Sequence, residues 1–194
     1  MSMIVMAGLP GTGKTTLANA LREELAQDWG CLSLRNKVPA PIVLNKDKVR
    51  AALFTPDLID YSTEQDDLCL DIMLHIAAYL FRRELRRTII LDGRTFSQRY
   101  QVEEVTDAAA VMGVRVFWVE CICDAGMARE RLLNDKISGL HPAANRDLQL
   151  YDYIKASAEP LDVDRLTVDT SQPLPDCITA VKRFLASNEE RWTP

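Results

Sequence analysis

Eight residues near the start of the chain, Gly8-Leu9-Pro10-Gly11-Thr12-Gly13-Lys14-Thr15, constrain its fold more than any other stretch. They follow the apolar run Met3-Ile4-Val5-Met6-Ala7 and precede a segment in which Leu17, Leu21 and Leu25 recur every four residues. The apolar run reads as a strand buried on both faces, and the four-residue spacing as one stripe of a helix. Between them, glycines let the backbone turn with its N–H groups inward and leave no Cβ in the way of an anion. The turn opens onto a helix N-terminus, whose free N–H groups and dipole favour negative charge. The spacing G-x-x-x-x-G-K-[ST] therefore predicts a phosphate cradle. Gly8, Gly11, Thr12 and Gly13 form it, with Thr16 at its end. Lys14 reaches the β- and γ-phosphates of a nucleotide, and the Thr15 hydroxyl holds Mg²⁺.

The rest of the chain repeats this alternation of short apolar runs and helix-length segments. Strands are expected at Ile42-Val43-Leu44, Thr88 to Leu91, Val114 to Ile122 and Leu166-Thr167-Val168, with a weaker edge strand at Cys31 to Leu34. Helices are expected from Lys14 to Trp29 (ended by Gly30), Asp66 to Arg87, Val102 to Met112, 125–135, 147–157 and Asp176 to Ser187. Strands separated by helices imply parallel βαβ units and a doubly wound α/β sheet. At 194 residues, without repeats or linkers, the chain reads as one domain.

Composition narrows the function classes. A formal charge of -5 disfavours a broad nucleic-acid footprint. Five cysteines, with no CxxC pair, fit no closed disulfide framework, and with only two histidines, His75 and His141, the sequence argues against a zinc site. Cys121 and Cys123, two apart on an expected strand, read as small apolar residues on one face. The expectation is a cytoplasmic protein that begins where the sequence begins, with no signal peptide and no membrane span. The arginines of "FRRELRR" (82–87) read as a solvated helix end, and Trp118 as core.

Two carboxylates follow strands where α/β sheets bind ligands. Asp47, in "LNKDKVRAALF", either takes a proton from an acceptor hydroxyl, with Arg50 a turn later orienting the acceptor, or caps the following helix. Asp92, in "TIILDGRTF", either serves as the Mg²⁺-side partner of the phosphate loop through a metal-bound water or caps a turn before Gly93.

The phosphate loop, "NKDKVRAALF", "TIILDGRTFSQRYQ", "RERL" and "LTVDTS" occur in the order of a group of P-loop kinases. Over nearly its whole length the chain resembles the kinase domains of polynucleotide kinases, zeta toxins and chloramphenicol phosphotransferase. The resemblance implies a three-layer P-loop NTPase fold of the nucleoside monophosphate kinase type, with a mainly parallel five-stranded sheet and a mobile lid around 124–150. It implies an ATP- and Mg²⁺-dependent kinase acting on a hydroxyl of a small-molecule or nucleotide-like acceptor, with Lys14, Asp47 as base and Arg131 from the lid as catalytic groups. Arg50 would contact the acceptor, and the loop carrying Thr170 and Pro173 would lie against the adenine. The chain departs from the group in two places. Arg94 interrupts the usual Asp-x-Thr after the third strand, so Arg94 and Arg99 are the candidates for acceptor contact and a nucleic-acid end is the less favoured acceptor. Arg129 and Arg131 are only two apart and diverge on a helix, which leaves Arg131, with Arg146 as second cation or as ordinary surface arginine. A toxin-like nucleotide-sugar kinase and a non-kinase nucleotide switch are the alternatives.

Overall fold

The computed structural model describes residues 1–31, 39–83, 87–138 and 148–189. Five strands, β1 (Ser2–Ala7), β2 (Ile42–Asn45), β3 (Thr88–Asp92), β4 (Arg115–Ile122) and β5 (Arg165–Asp169), form one sheet in the order β2-β3-β1-β4-β5. Every pairing is parallel, so the sheet is wholly rather than mainly parallel. Helices α1 (Lys14–Cys31), α2 (Lys46–Leu53), α3 (Thr63–Arg83), α4 (Arg99–Met112), α5 (Ala125–Ser138), α6 (Leu148–Ser157) and α7 (Leu174–Glu189) connect or follow the strands. The result is the three-layer α/β fold of P-loop NTPases.

Alternation along the strands sorts the core into two sides. Met3, Val5, Ile89, Leu91 and Trp118 pack with Leu70, Met73 and Ala77 of α3 and with Val105 and Ala109 of α4. Ile4, Met6, Ile90, Phe117 and Val119 pack with Leu17, Leu21 and Leu25 of α1 and with Val181 and Leu185 of α7. Trp118 meets Phe96 edge-on, with ring centroids 5.1 Å apart. No described helix is long and apolar enough to cross a membrane.

Several boundaries differ from expectation. The first helix runs through Gly30 to Cys31, because one glycine at the end of a long apolar stripe costs only about 1 kcal/mol. The remainder of the expected 31–34 strand lies outside the described residues. The long helix begins at Thr63, so Asp66 and Asp67 lie in its first two turns. The fourth begins at Arg99, where the Gln98 and Gln101 side chains form a reciprocal cap. β4 stops at Ile122, which places Cys123 beyond the strand and away from Cys121: Cys121 joins the α1/α7 side, whereas Cys123 packs with Leu9 against Ala128, Leu132 and Tyr151.

One junction sets the acidic residues at the sheet's carboxyl end. Asn45 is the N-cap of α2: its Oδ1 accepts from Lys48 N at 3.0 Å, while its Nδ2 donates to Asp92 Oδ2 at 2.7 Å. Asp47 therefore sits in the first turn instead of capping the helix. One amide thus starts α2 and holds a carboxylate that is 1% exposed. Asn45→Ala is expected to cost about 2–3 kcal/mol, combining a lost cap with a buried carboxylate deprived of its donor. Asn45→Ser, which keeps the capping oxygen but not the amide, should recover only the cap. Urea denaturation of the two variants checks both.

Candidate active site

The Gly8–Thr15 loop leaves β1, whose onward connection runs toward β2 while that of its neighbour β3 runs the other way toward β4, and such a switch point opens a crevice at the strands' carboxyl ends. The loop lies very close to its neighbours. Gly8 has φ +128, and a Cβ there would stand 2.2 Å from the Cys121 carbonyl oxygen; one on Gly11 (φ +77) would stand 2.5 Å from Ala128 O. Glycine is required at both on steric and conformational grounds. Gly8 N donates to Thr95 O at 3.1 Å, tying the loop to the segment after β3. Lys14 is buried, with Nζ donating to Gly8 O at 2.7 Å and Leu9 O at 2.8 Å, so its charge is held over the loop.

A cavity of about 650 Å³ opens in front of this loop. Gly11, Gly13, Lys14, Thr15 and Thr16 line one side, and Asn45, Asp47 and Lys48 line another. Arg131, Asp135, Thr170 and Gln172 close it, with Leu174 and Cys177 from α7 supplying an apolar wall. The structure thus brings the phosphate loop, Asp47, Arg131 and Thr170 to one space. Pro173 is exposed at the start of α7, where its carbonyl accepts from Asp176 N and Cys177 N; Thr170, Gln172 and Leu174 face the cavity. Gln172, Leu174 and Cys177 escaped the sequence reading because they surround the predicted Thr170-Pro173 positions without a pattern of their own. Asn45 had a signal, an Asn at a strand-to-helix junction.

Arg131 reaches back from α5. Its Nη2 donates to Thr170 O at 2.9 Å, and its Nη1 to Thr170 Oγ1 at 3.2 Å and Gly11 O at 3.4 Å. Thr170 Oγ1 in turn donates to Thr12 O at 2.8 Å. Arg129 points elsewhere, pairing with Asp152 of α6 at 2.5 Å. Arg146 lies outside the described residues, as does the 139–147 part of the expected 124–150 lid.

On the other side of the cavity, Asp47 Oδ1 accepts from Arg50 Nη1 at 2.7 Å. Arg50 is 1% exposed; its Nη2 donates to Asp66 Oδ1, and its guanidinium lies 5.0 Å over the Tyr61 ring. Lys46 Nζ donates to Asp66 Oδ2 at 2.6 Å and stands 4.0 Å from Asp47 Oδ1. Arg94, 3% exposed, donates to Asp67 of α3 and sits 3.4 Å from the Tyr100 hydroxyl. Neither Arg50, bonded to Asp47, nor Arg94, bonded to Asp67, lines this cavity, while Arg99 is exposed at the start of α4. Asp92 is also set back, its Oδ2 held by Asn45 and its Oδ1 buried with no hydrogen-bond partner among the described residues.

Thiol chemistry has no place beside the loop. Burial pushes the Cys121 thiol up to about 12 and raises those of Cys123 and Cys177, so none is a ready thiolate near neutrality. Among the described residues, no group of three or more His, Cys, Asp or Glu is placed to hold a metal. Oxygen donors at the site include the Thr15 hydroxyl at the cavity and the Asp92 Oδ1 behind it, which is buried without a hydrogen-bond partner among the described residues. Such oxygens fit Mg²⁺, which takes most of its ligands from phosphates and water.

Solved structures share this fold across the chain's length. The Mycobacterium tuberculosis APS kinase CysC, solved with AMPPNP and APS, is 16% identical with a TM-score of 0.68, the match covering 95% of this chain and 97% of that one. A gluconokinase from Sinorhizobium meliloti 1021 is 16% identical with a TM-score of 0.62, covering 99% and 98%. Chaetomium thermophilum Kti12, solved with ADP-AlF3, is 13% identical with a TM-score of 0.66, covering 95% and 97%. No curated protein matches the sequence. The family model described as AAA domain matches residues 3–160, and the chain belongs to that family.

Proposed function

We propose that this chain is an ATP-dependent kinase that transfers the γ-phosphoryl group to a hydroxyl of a small-molecule or nucleotide-like acceptor. The observation that carries the reading is that Asp47 and the Lys14-Thr15 end of the phosphate loop line one and the same cavity. Phosphoryl transfer asks for positioning and charge stabilisation, and each named group supplies one of these. The loop N–H groups and Lys14 hold the phosphates. Arg131, whose guanidinium already lies against Gly11 and Thr170, neutralises charge that builds during transfer. Thr170 and Leu174 offer a wall to the base and ribose of the nucleotide. Asp47 accepts the proton of the attacking hydroxyl, and Arg50 behind it keeps its carboxylate in place.

Thr15, and Asp92 through water, would hold Mg²⁺, which when bound offsets phosphate charge. The buried, unpartnered Asp92 Oδ1 supports that assignment. The solved APS kinase and gluconokinase share the fold, which agrees with a kinase without naming an acceptor. The finer likeness to polynucleotide kinases, zeta toxins and chloramphenicol phosphotransferase rests on the order of the phosphate loop, the Asp47-Arg50 segment, the Asp92 segment, "RERL" and "LTVDTS". A cytoplasmic location is part of the same proposal.

Transfer of labelled γ-phosphate to nucleosides, nucleotide sugars, 5′-hydroxyl oligonucleotides, sugars and aminoglycoside-like or phenicol antibiotics tests the reading. A labelled product is expected, with Asp47→Ala lowering its rate by about 10²–10⁴-fold while ATP still binds. ATP-dependent binding of a partner, with no labelled acceptor, would favour the nucleotide switch. Arg131→Ala is expected to lower kcat by about 10²-fold, and Arg129→Ala, which removes the exposed pair with Asp152 and the contact over the Tyr151 ring, by less than about twofold. Steady-state rates for the two variants separate the arginines.

A further inference from the structure

The position of Asp47 is not secured within its own helix. Its Oδ1 is held by Arg50 Nη1 at 2.7 Å, one turn along α2, but Arg50 is gripped from elsewhere. Asp66 of α3 takes the other end of the guanidinium on Oδ1, and on Oδ2 it takes Lys46 Nζ at 2.6 Å. Lys46 is the second cation near Asp47, 4.0 Å from the same carboxylate oxygen. A single carboxylate on α3 therefore holds both cations that face the base. The Tyr61 ring lies 5.0 Å from the guanidinium carbon of Arg50, on the segment joining α2 to α3. The side chain of Arg50 is 2% exposed, so water is a poor substitute for either acidic partner.

We infer that Asp66 is a positioning residue for the phosphoryl transfer, fixing Arg50 and Lys46 so that Asp47 faces the cavity with one oxygen committed. This rests on the kinase reading for what Asp47 does, and on geometry alone for the clamp. A planar guanidinium held at both ends has one orientation, and the carboxylate bonded to it inherits that orientation. With one end released, the fork rotates about its stem, and the carboxylate bonded to it turns with it. A base displaced by about 1 Å loses about 10²-fold in rate without weakening nucleotide binding.

The test uses the full chain and three variants: Asp66→Asn, Asp66→Glu and, as a control, Glu64→Gln, which removes an exposed charge from the same first turn of α3. The Arg50 guanidinium resonances, followed by ¹⁵N NMR with no acceptor present, are expected to be resolved in the wild type and in Glu64→Gln. They should be averaged in Asp66→Asn and regained in Asp66→Glu. With an acceptor identified, Asp66→Asn should lower kcat by about 10²-fold and leave the KM for ATP within about twofold, with partial recovery in Asp66→Glu. Unchanged Arg50 resonances in a folded Asp66→Asn protein would overturn the clamp even in an active kinase. An unchanged kcat would overturn the positioning role. Averaged resonances in Asp66→Asn sustain the clamp even if no acceptor is ever phosphorylated, so the two readings fail separately. Should Asp66→Asn not fold, the contrast between Asp66→Glu and Glu64→Gln carries the same comparison: a Glu variant with averaged resonances and wild-type kcat would overturn the proposal.

Discussion

Everything at the carboxyl end of the sheet depends on how closely the loop backbone passes over β4 and α5. Gly8 presses against the Cys121 carbonyl and Gly11 against the Ala128 carbonyl, both closer than any side chain permits. That approach lets the chain turn from a buried strand into a helix along the edge of one cavity. It also brings α5 within reach, so that Arg131 and Thr170 bond to the loop from two separate elements. The loop is thus shaped by contacts from β4, β5 and α5 as well as by its own glycines.

The second organising feature is the way acidic residues are distributed among cationic and amide donors. Asp92 is held by the amide of Asn45, Asp47 by Arg50, Asp66 by Arg50 and Lys46, and Asp67 by Arg94. Buried charges persist only when paired and hydrogen-bonded, so each of these bonds also fastens one element to another. Asn45 and Asp92 join β2 to β3; Lys46 and Arg50 join α2 to α3; Arg94 joins the segment after β3 to α3. The short helix that carries Asp47 is therefore held by polar contacts more than by apolar burial, since among its residues the buried ones are Lys46, Asp47 and Arg50.

The order of strands and helices was legible because each rests on a local apolar period that packing then uses. Met3 to Ala7, Leu17-Leu21-Leu25 and Thr88 to Leu91 became the buried strands and stripe that their patterns describe. Boundaries were less legible where polar residues set them: Gln98 and Gln101 start α4 three residues ahead of its apolar positions, and α3 begins with the polar run Thr63 to Asp67. The phosphate loop could be read because backbone geometry dictates its residues at fixed spacing. The separate fates of Arg129 and Arg131 followed from helical angle alone, one turning to Asp152 and the other to the loop.

The acceptor side was legible only as far as Asp47, and the reason lies in sequence separation. Lys46 meets Asp66 across 20 residues, Arg94 meets Asp67 across 27, and Asn45 meets Asp92 across 47. No period or motif links such partners; the fold selects them once the helices are packed. An arginine in "KDKVR" or "DGRT" therefore looks the same in sequence whether it meets a ligand or an aspartate of α3. In the structure Arg50 ends on Asp47 and Asp66, whereas Arg94 places one nitrogen on Asp67 and keeps Nη1 and Nε buried without a hydrogen-bond partner among the described residues. Under the proposed kinase reading Arg50 would act on an acceptor through Asp47, so that the wall behind the cavity would take part in the chemistry in front of it.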